Sequence, residues 1–312
     1  MKLYFAPMEG ITNYIYRNTH AEMFGFSDGY YAPFITPSDN EKINKKGLKD
    51  VVSENNIAKV TVQVLTKDSE AFLKFAKKIK AEGFSEINLN LGCPYPTVVK
   101  KGKGAGFLAE PIALDEFLYQ IFEKCDIDIS IKTRAGFHSA DELDALMEIY
   151  NKYSISLLVI HPRAREDFYK GEPDMEAFKR AYLVSKNKIC YNGNIFSKED
   201  FCRIEKGFSS LDSVMIGRGA VENPAIFREI RGGEVLKTEE LILFSERLIE
   251  NYRQTLRSDV FTMHKMKELW AIMMGNFPDE KKIAKAIKKA NTVEEFMGAI
   301  KLLPEIKNAQ KR

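Results

Sequence analysis

Glu86-Ile87-Asn88-Leu89-Asn90-Leu91 alternates aliphatic side chains with amides. Successive strand residues face opposite ways, so Ile87, Leu89 and Leu91 share one face and Asn88 and Asn90 the other. Val60–Leu65 repeats the pattern, with Val60, Val62 and Val64 opposite Thr61, Gln63 and Leu65. Ile127–Lys132 does so again, with Ile127, Ile129 and Ile131 opposite Asp128, Ser130 and Lys132. In a closed barrel the apolar face packs on outer helices and a partly polar face points inward. Buried polar groups are costly unless partnered. Strands that send such groups inward near their C-terminal ends therefore predict a polar ligand there.

Working outward, Leu3–Ala6, Gly29–Pro33, Leu157–His161, Ile189–Tyr191 and Ser213–Ile216 complete a set of eight strand candidates. Amphipathic stretches lie between most of them: 13–24, 68–81, 114–124, 140–153, 175–185 and 197–206. Eight strands with interleaved helices predict a (β/α)8 TIM barrel, with an open doubly wound sheet as the alternative. After about residue 221 the strand pattern stops. Stretches 236–256, 261–274, 281–290 and 293–303 then read as helices, with Asp279-Glu280 and Asn291-Thr292 suited to start the last two. The expected division is a barrel at 1–230, a glycine-containing linker at 231–237 and a small all-helical domain at 238–312.

Composition fits a globular protein: 312 residues, 45% hydrophobic and 29% charged. No apolar run reaches the roughly 18–20 residues of a membrane helix, so no membrane partner is expected. The first residues read as a strand and turn rather than a signal peptide. Cysteines 93, 125, 190 and 202 show neither a C-x-x-C pair nor zinc spacing. A reducing cytoplasm and no metal site are the expectation. Cys125, Cys190 and Cys202 read as buried small hydrophobes. Residues 1–237 balance 33 Lys and Arg against 33 Asp and Glu, while 281–312 carry 9 against 3. A basic tail on a neutral body suggests a polyanionic partner.

Polar singletons collect at the predicted strand ends, where barrels build their active sites. Pro7-Met8-Glu9 follows the first strand, Gln63 sits near the end of the third, and Asn90 and Cys93 end the fourth. Lys132 ends the fifth strand and His161 the sixth. Asn192-Gly193-Asn194 follows the seventh and Gly217-Arg218-Gly219 the eighth. The last two loops suit a phosphate, with glycines admitting backbone N–H groups and Arg218 adding charge. Lys132 suits a group that becomes anionic, such as the N1–C2=O edge of a reduced flavin, with Gln63 bonding the same ring and His161 touching cofactor or substrate. A thiol such as Cys93 is mostly protonated at neutral pH and can act as a general acid. Lys100–Gly106 is basic and glycine-rich, which predicts a mobile lid that meets phosphates; its spacing is not a Walker motif.

Ala-Pro-Met-Glu-Gly at 6–10, Asn-Leu-Asn-Leu-Gly-Cys-Pro at 88–94 and Lys-Thr-Arg-Ala-Gly at 132–136 together resemble the tRNA-dihydrouridine synthases. His-Pro-Arg at 161–163, Tyr-Asn-Gly-Asn-Ile at 191–195 and Met-Ile-Gly-Arg-Gly-Ala at 215–220 continue the resemblance over nearly the whole chain. It implies an FMN enzyme that reduces tRNA uridines to 5,6-dihydrouridine with NADPH or NADH. By position, Pro7, Met8, Glu9, Gln63, Lys132 and His161 would lie against the flavin ring. Asn192, Gly193, Asn194, Gly217 and Arg218 would hold its ribityl-phosphate end. The resemblance assigns hydride transfer from flavin N5 to C6 of a flipped-out uracil and protonation of C5 by Cys93. Asn90 and Arg134 become substrate contacts, and Lys101, Lys103, Lys281, Lys285 and Lys289 become tRNA phosphate contacts. Asn194 stands where the family often has an acidic residue, and Pro162 replaces a common glycine. The alternatives are a small-molecule pyrimidine flavoenzyme, such as a dihydroorotate or dihydropyrimidine dehydrogenase, and an idle RNA-binding protein on the same scaffold.

Overall fold

The structure, a computed structural model, describes residues 1–38 and 47–306. Strand β1 (Lys2–Phe5) leads through helix α1 (Tyr14–Met23) to β2 (Gly29–Tyr31) and β3 (Val60–Val64). Helix α2 (Ser69–Ala81), β4 (Glu86–Leu91), the short α3 (Pro96–Val99), α4 (Pro111–Lys124) and β5 (Asp128–Gly136) follow. Then come α5 (Leu143–Tyr150), β6 (Leu158–Ala164), α6 (Met175–Val184), β7 (Ile189–Tyr191), α7 (Lys198–Gly207) and β8 (Ser213–Ile216). All neighbouring strands pair in parallel, and β1 pairs with β8, so the barrel is closed. The open-sheet alternative is thereby excluded. Asn13, Asp68, Asp174 and Ser197 cap their helices by accepting backbone N–H bonds, which removes donors that would otherwise be orphaned.

The alternation sorts the two faces as expected. Ile87, Leu89, Val62, Val64, Ile129 and Ile131 belong to the large core between barrel and helices. Inside the barrel, Ala6, Tyr31, Leu157, Val159, Cys190 and Met215 form a separate apolar cluster. Gln63, Asn88 and Ser130, all buried, add a hydrogen-bonded polar patch on the strands opposite. Cys190 is buried, but Cys125 and Cys202 are only half-buried, because Cys125 is the C-cap residue of α4 and Cys202 lies beside the buried Phe201 and Ile204 stripe of α7.

Beyond β8, two short helices, α8 (Arg218–Glu222) and α9 (Ile226–Ile230), precede α10 (Thr238–Leu256) and α11 (Asp259–Met273). Helices α12 (Lys281–Lys289) and α13 (Val293–Ile300) complete the described chain. Thr292 caps α13, whereas α12 has no side-chain cap, since Asp279 offers only its carbonyl. The segment 231–237 is fastened rather than loose. Arg231 bonds Asp28, Arg228 bonds the carbonyls of Glu234 and Val235, and Glu229 accepts from the Leu236 N–H. Helix α10 meets α1 through Asn251 to Thr19 and Tyr252 to Asn13, and Lys265 of α11 bonds the Gly10 carbonyl at 2.8 Å. Among the described residues, no helix is long and apolar enough to cross a membrane.

Buried His20 ties α1 to β2 and to the turn between α8 and α9. Its Nε2 faces the Pro224 carbonyl at 2.9 Å, which can only accept, so Nε2 carries the proton and Nδ1 accepts from the Tyr30 hydroxyl. Burial lowers its pKa from 6.5 to about 4. The neutral form is thus favoured in the fold. Its stabilising contribution is complete above pH 6.5 and shrinks as pH falls toward 4. At pH 5 the loss is about 2 kcal/mol. Denaturant unfolding at pH 7.5 and 5 should show that loss in the native protein and a shallower pH slope in His20→Gln. An identical slope in the variant would contradict this assignment.

Candidate active site

Strands β5 and β6 run past their predicted ends, and this builds the mouth of the barrel. Lys132 and Arg134 both lie on β5, and His161 and Arg163 both lie on β6. Arg134 donates to the Gly92 carbonyl and the Ala164 carbonyl, each at 3.0 Å, bridging the loop after β4 to β6. Asn90 Oδ1 accepts the Gly92 and Cys93 backbone N–H groups at 3.0 and 2.9 Å. Asn90 Nδ2 donates to Gln63 Oε1 at 2.7 Å. Gln63, Asn90, Cys93, Lys132, Arg134 and His161 therefore converge at one end of the barrel.

The Cys93 thiol is buried, and its pKa rises because of desolvation; the Tyr95 backbone hydrogen bond partly opposes the rise, Glu9 adds to it, and Arg134 and Lys132 oppose it further. It stays protonated at neutral pH. The Cys93 carbonyl accepts from the Ala105 N–H at 3.1 Å. Gly104 has φ +56°, and a Cβ there would lie 2.9 Å from that carbonyl. Of the glycine-rich segment expected to form a mobile lid, Gly104, Ala105 and Gly106 instead enter a 3-10 turn (Gly104–Ala109) whose first five residues are buried against the Cys93 loop. Its glycines serve close approach. Lys100 and Lys101 are exposed and Lys103 is half-buried on the turn before it.

Lys132 lies among cations and apolar walls. Burial first, then Arg134, lowers its pKa from 10.5 to about 8. No acceptor bonds its ammonium among the described residues. His161 is buried, and Arg163 Nη1 lies 3.1 Å from its Nε2. A guanidinium only donates, so Nε2 is unprotonated and the N–H sits on Nδ1. Burial, then Arg134, Lys132, Arg163 and Arg218, drives its pKa well down, so His161 is neutral.

The loops after β7 and β8 meet through Asn194. Its Oδ1 accepts from Arg218 at 3.0 Å and Arg163 at 3.2 Å, while its Nδ2 donates to Glu172 at 3.1 Å. Asn192 donates to the Met215 carbonyl at 2.7 Å. A Cβ on Gly193 would fall 2.0 Å from the Tyr191 hydroxyl, so only glycine fits there. Gly217 sits beside Ala6 and Met8, which brings the half-buried Pro7-Met8 segment to the same rim, with Glu9 exposed above it.

Two residues of this site carry no mark in the sequence. Tyr169, on the loop after β6, places its ring 4.6 Å from the Arg218 guanidinium and 5.3 Å from that of Arg134. Tyr95 stands exposed two residues after Cys93. The available signal was aromatic residues in loops that follow site-bearing strands. Lys281, Lys285 and Lys289 lie elsewhere, exposed on α12, where Lys282 and Lys288 share their face. A cleft of about 840 Å³ between the start of α7, the Glu222-Asn223 turn and residues 275–280 is lined by none of the predicted site residues.

The family profile described as Dihydrouridine synthase (Dus) matches residues 4–311. The chain is 28% identical over 255 residues to tRNA-dihydrouridine synthase B of Pseudomonas putida, covering 80% of this chain and 74% of that one. It is 27% identical to a probable tRNA-dihydrouridine synthase of Staphylococcus epidermidis, covering 72% and 70%. Among solved structures, the old yellow enzyme from Trypanosoma cruzi superposes with a TM-score of 0.52 at 10% identity, over 75% of this chain and 89% of that one. That likeness shows the barrel alone. With the profile spanning the barrel and the helices that follow it, the chain belongs to the dihydrouridine synthase family.

Proposed function

We infer that this protein is an FMN-dependent oxidoreductase that reduces uridines in tRNA to 5,6-dihydrouridine at the expense of NADPH or NADH. The observation that carries the reading is the convergence of a protonated Cys93, an unpartnered Lys132 ammonium and the Gln63–Asn90 pair in one barrel mouth. The donor set fits FMN. Lys132 and Gln63 offer a cation and an amide to a planar, electron-accepting ring. Arg218 and the side-chain-free backbone at Gly193 and Gly217 suit a phosphate at the adjoining loops, while buried Arg163 holds Asn194, His161 and the carbonyls of Lys170 and Gly171 in place. Pro7 and Met8 border the same space.

When bound, FMN supplies the hydride, delivered to C6 of the base. Cys93 Sγ holds the proton for C5, and burial keeps that proton in place at neutral pH. Asn90, with its carbonyl committed to the Cys93 loop, has a free N–H for a carbonyl of the base. Arg134 is held by two backbone carbonyls and stands beside Cys93 as a second substrate contact. Neutral His161 offers a fixed Nδ1–H. The deep site requires a base that leaves its stack. On this reading, residues 1–230 form the catalytic unit and 238–312 grip the RNA, with Lys101 and Lys103 assisting.

The reading is tested by extracting flavin from the purified protein and by assaying dihydrouridine in tRNA exposed to protein and NADPH. A colourless protein that takes up no FMN, or a flavoprotein that oxidises NADPH but never alters tRNA, contradicts it.

The lysine face of α12 bears on the RNA separately. Like charges at i, i+4 oppose helix formation unless a polyanion offsets them. Lys281→Gln, Lys285→Gln and Lys289→Gln combined should weaken tRNA binding and lower the slope of log affinity against log salt by about 0.7–0.9 per lost contact. NADPH oxidation should not change. An unaltered salt slope would place the RNA on another surface.

A further inference from the structure

Five side chains inside the barrel form one chain of hydrogen bonds with a single direction. At the top, the Gly92 and Cys93 N–H groups donate to Asn90 Oδ1. Asn90 Nδ2 donates to Gln63 Oε1 at 2.7 Å, Gln63 Nε2 to Asn88 Oδ1 at 2.8 Å, and Asn88 Nδ2 to Ser130 Oγ at 2.9 Å. At the bottom, the Ser130 hydroxyl donates to the Glu86 carboxylate. Backbone N–H groups can only donate and a carboxylate can only accept. Both ends therefore impose the same polarity. No amide between them can flip without setting donor against donor or acceptor against acceptor.

The links are buried: Gln63, Asn88, Ser130 and Asn90 are 1%, 0%, 0% and 7% exposed. A misdirected partner here would leave an unsatisfied buried group, which costs far more than a lost surface bond. Gln63, Asn88 and Ser130 are also register neighbours on β3, β4 and β5, so the barrel itself sets them side by side. From Glu86 to Asn90 the chain climbs four strand residues, about 13 Å.

The geometry points to Glu86, Ser130 and Asn88 as positioning residues for the mouth. They fix the amide orientations of Gln63 and Asn90, so that Asn90 presents a single N–H to the ligand while its carbonyl holds the Cys93 loop. The group facing Asn90 is therefore an acceptor, such as a ring carbonyl. The inference rests on the proposed flavin and uracil site only for the identity of that ligand. The effect on Cys93 is independent of it.

The test uses the full chain stripped of flavin. Alkylation of Cys93 by iodoacetamide is followed by peptide mass, which separates it from Cys125 and Cys202, and FMN affinity is measured by titration. Ser130→Ala should change the Cys93 alkylation rate several-fold and weaken FMN binding about 5–20-fold. Ser130→Thr and Glu86→Gln keep a donor and an acceptor at their links and should stay within about two-fold of the native protein. If Ser130→Ala does not fold, Glu86→Ala against Glu86→Gln supplies the same contrast from the lower end. Unchanged alkylation and affinity in the alanine variant overturns the inference. So does equal impairment of Ser130→Ala and Ser130→Thr, which would trace the effect to volume. A native protein that never binds FMN contradicts the functional reading, and the alkylation contrast still decides this one.

Discussion

Cys93→Ala is expected to slow uridine reduction by about 10²–10⁴-fold under single-turnover conditions while FMN stays bound, the usual cost of losing a positioned general acid. The thiol is buried and its pKa is raised, so it holds a proton at neutral pH. The loop that carries it is fixed at three points: Asn90 Oδ1 on its N–H, the Ala105 N–H on its carbonyl, and Arg134 on the Gly92 carbonyl. Removing Sγ leaves that scaffold in place, so flavin binding and NADPH oxidation should be nearly native. Cys93→Ser separates size from acidity, because a hydroxyl is a far weaker acid than a thiol. It should resemble the alanine variant. Rapid-quench measurement of dihydrouridine formation checks both. Native rates in Cys93→Ala would assign Cys93 a structural role.

Lys132→Met should have opposite effects on stability and function. In the fold the Lys132 pKa falls from 10.5 to about 8, so its charged form is disfavoured by burial and by Arg134. The folded protein binds this proton more weakly than the unfolded chain. The resulting penalty is full below pH 8 and disappears only as pH rises toward 10.5. At neutral pH it amounts to at most about 3 kcal/mol. A methionine of similar length carries no such penalty, so flavin-free Lys132→Met should melt a few degrees higher than the native protein. On the proposed flavin reading the same change removes a charge-assisted contact, which should weaken FMN binding about 10–100-fold. Native FMN affinity should also fall as pH rises above about 8, and that dependence should vanish in the variant. Calorimetry of the flavin-free proteins and FMN titrations at pH 7 and 9 are the measurements. A destabilised flavin-free variant, or a variant with native FMN affinity, contradicts the role given to Lys132.

The barrel was legible because period-two alternation in Val60–Val64, Glu86–Leu91 and Asp128–Lys132 is a direct record of two faces with different surroundings. The C-terminal helices were legible because the strand pattern stops after about residue 221, although α12 begins without the side-chain cap that Asp279-Glu280 suggested. Where β5 and β6 end was less clear. Thr133–Gly136 and Pro162–Ala164 break the aliphatic pattern, yet parallel pairing of Arg134 with His161 and Gly136 with Ala164 extends both strands. That extension is what carries Arg134 and Arg163 into the mouth. The segment after Cys93 misled for a physical reason: glycine permits both mobility and close approach, and composition does not separate them. Only the contact between Gly104 and the Cys93 carbonyl does. Tyr169 was hidden because a loop aromatic has no period to betray it. The inward amides were visible one by one, but their order in a single directed chain depends on which strands become neighbours.

We propose that this mouth reduces uracil in RNA. The most direct test is nucleoside mass analysis of tRNA lacking dihydrouridine after incubation with the purified protein, FMN and NADPH. A uridine should gain two hydrogens in H2O, and in D2O deuterium should appear at C5, since the proton held by Cys93 exchanges with solvent. A tRNA whose uridines keep their mass while the flavin is reduced would contradict it.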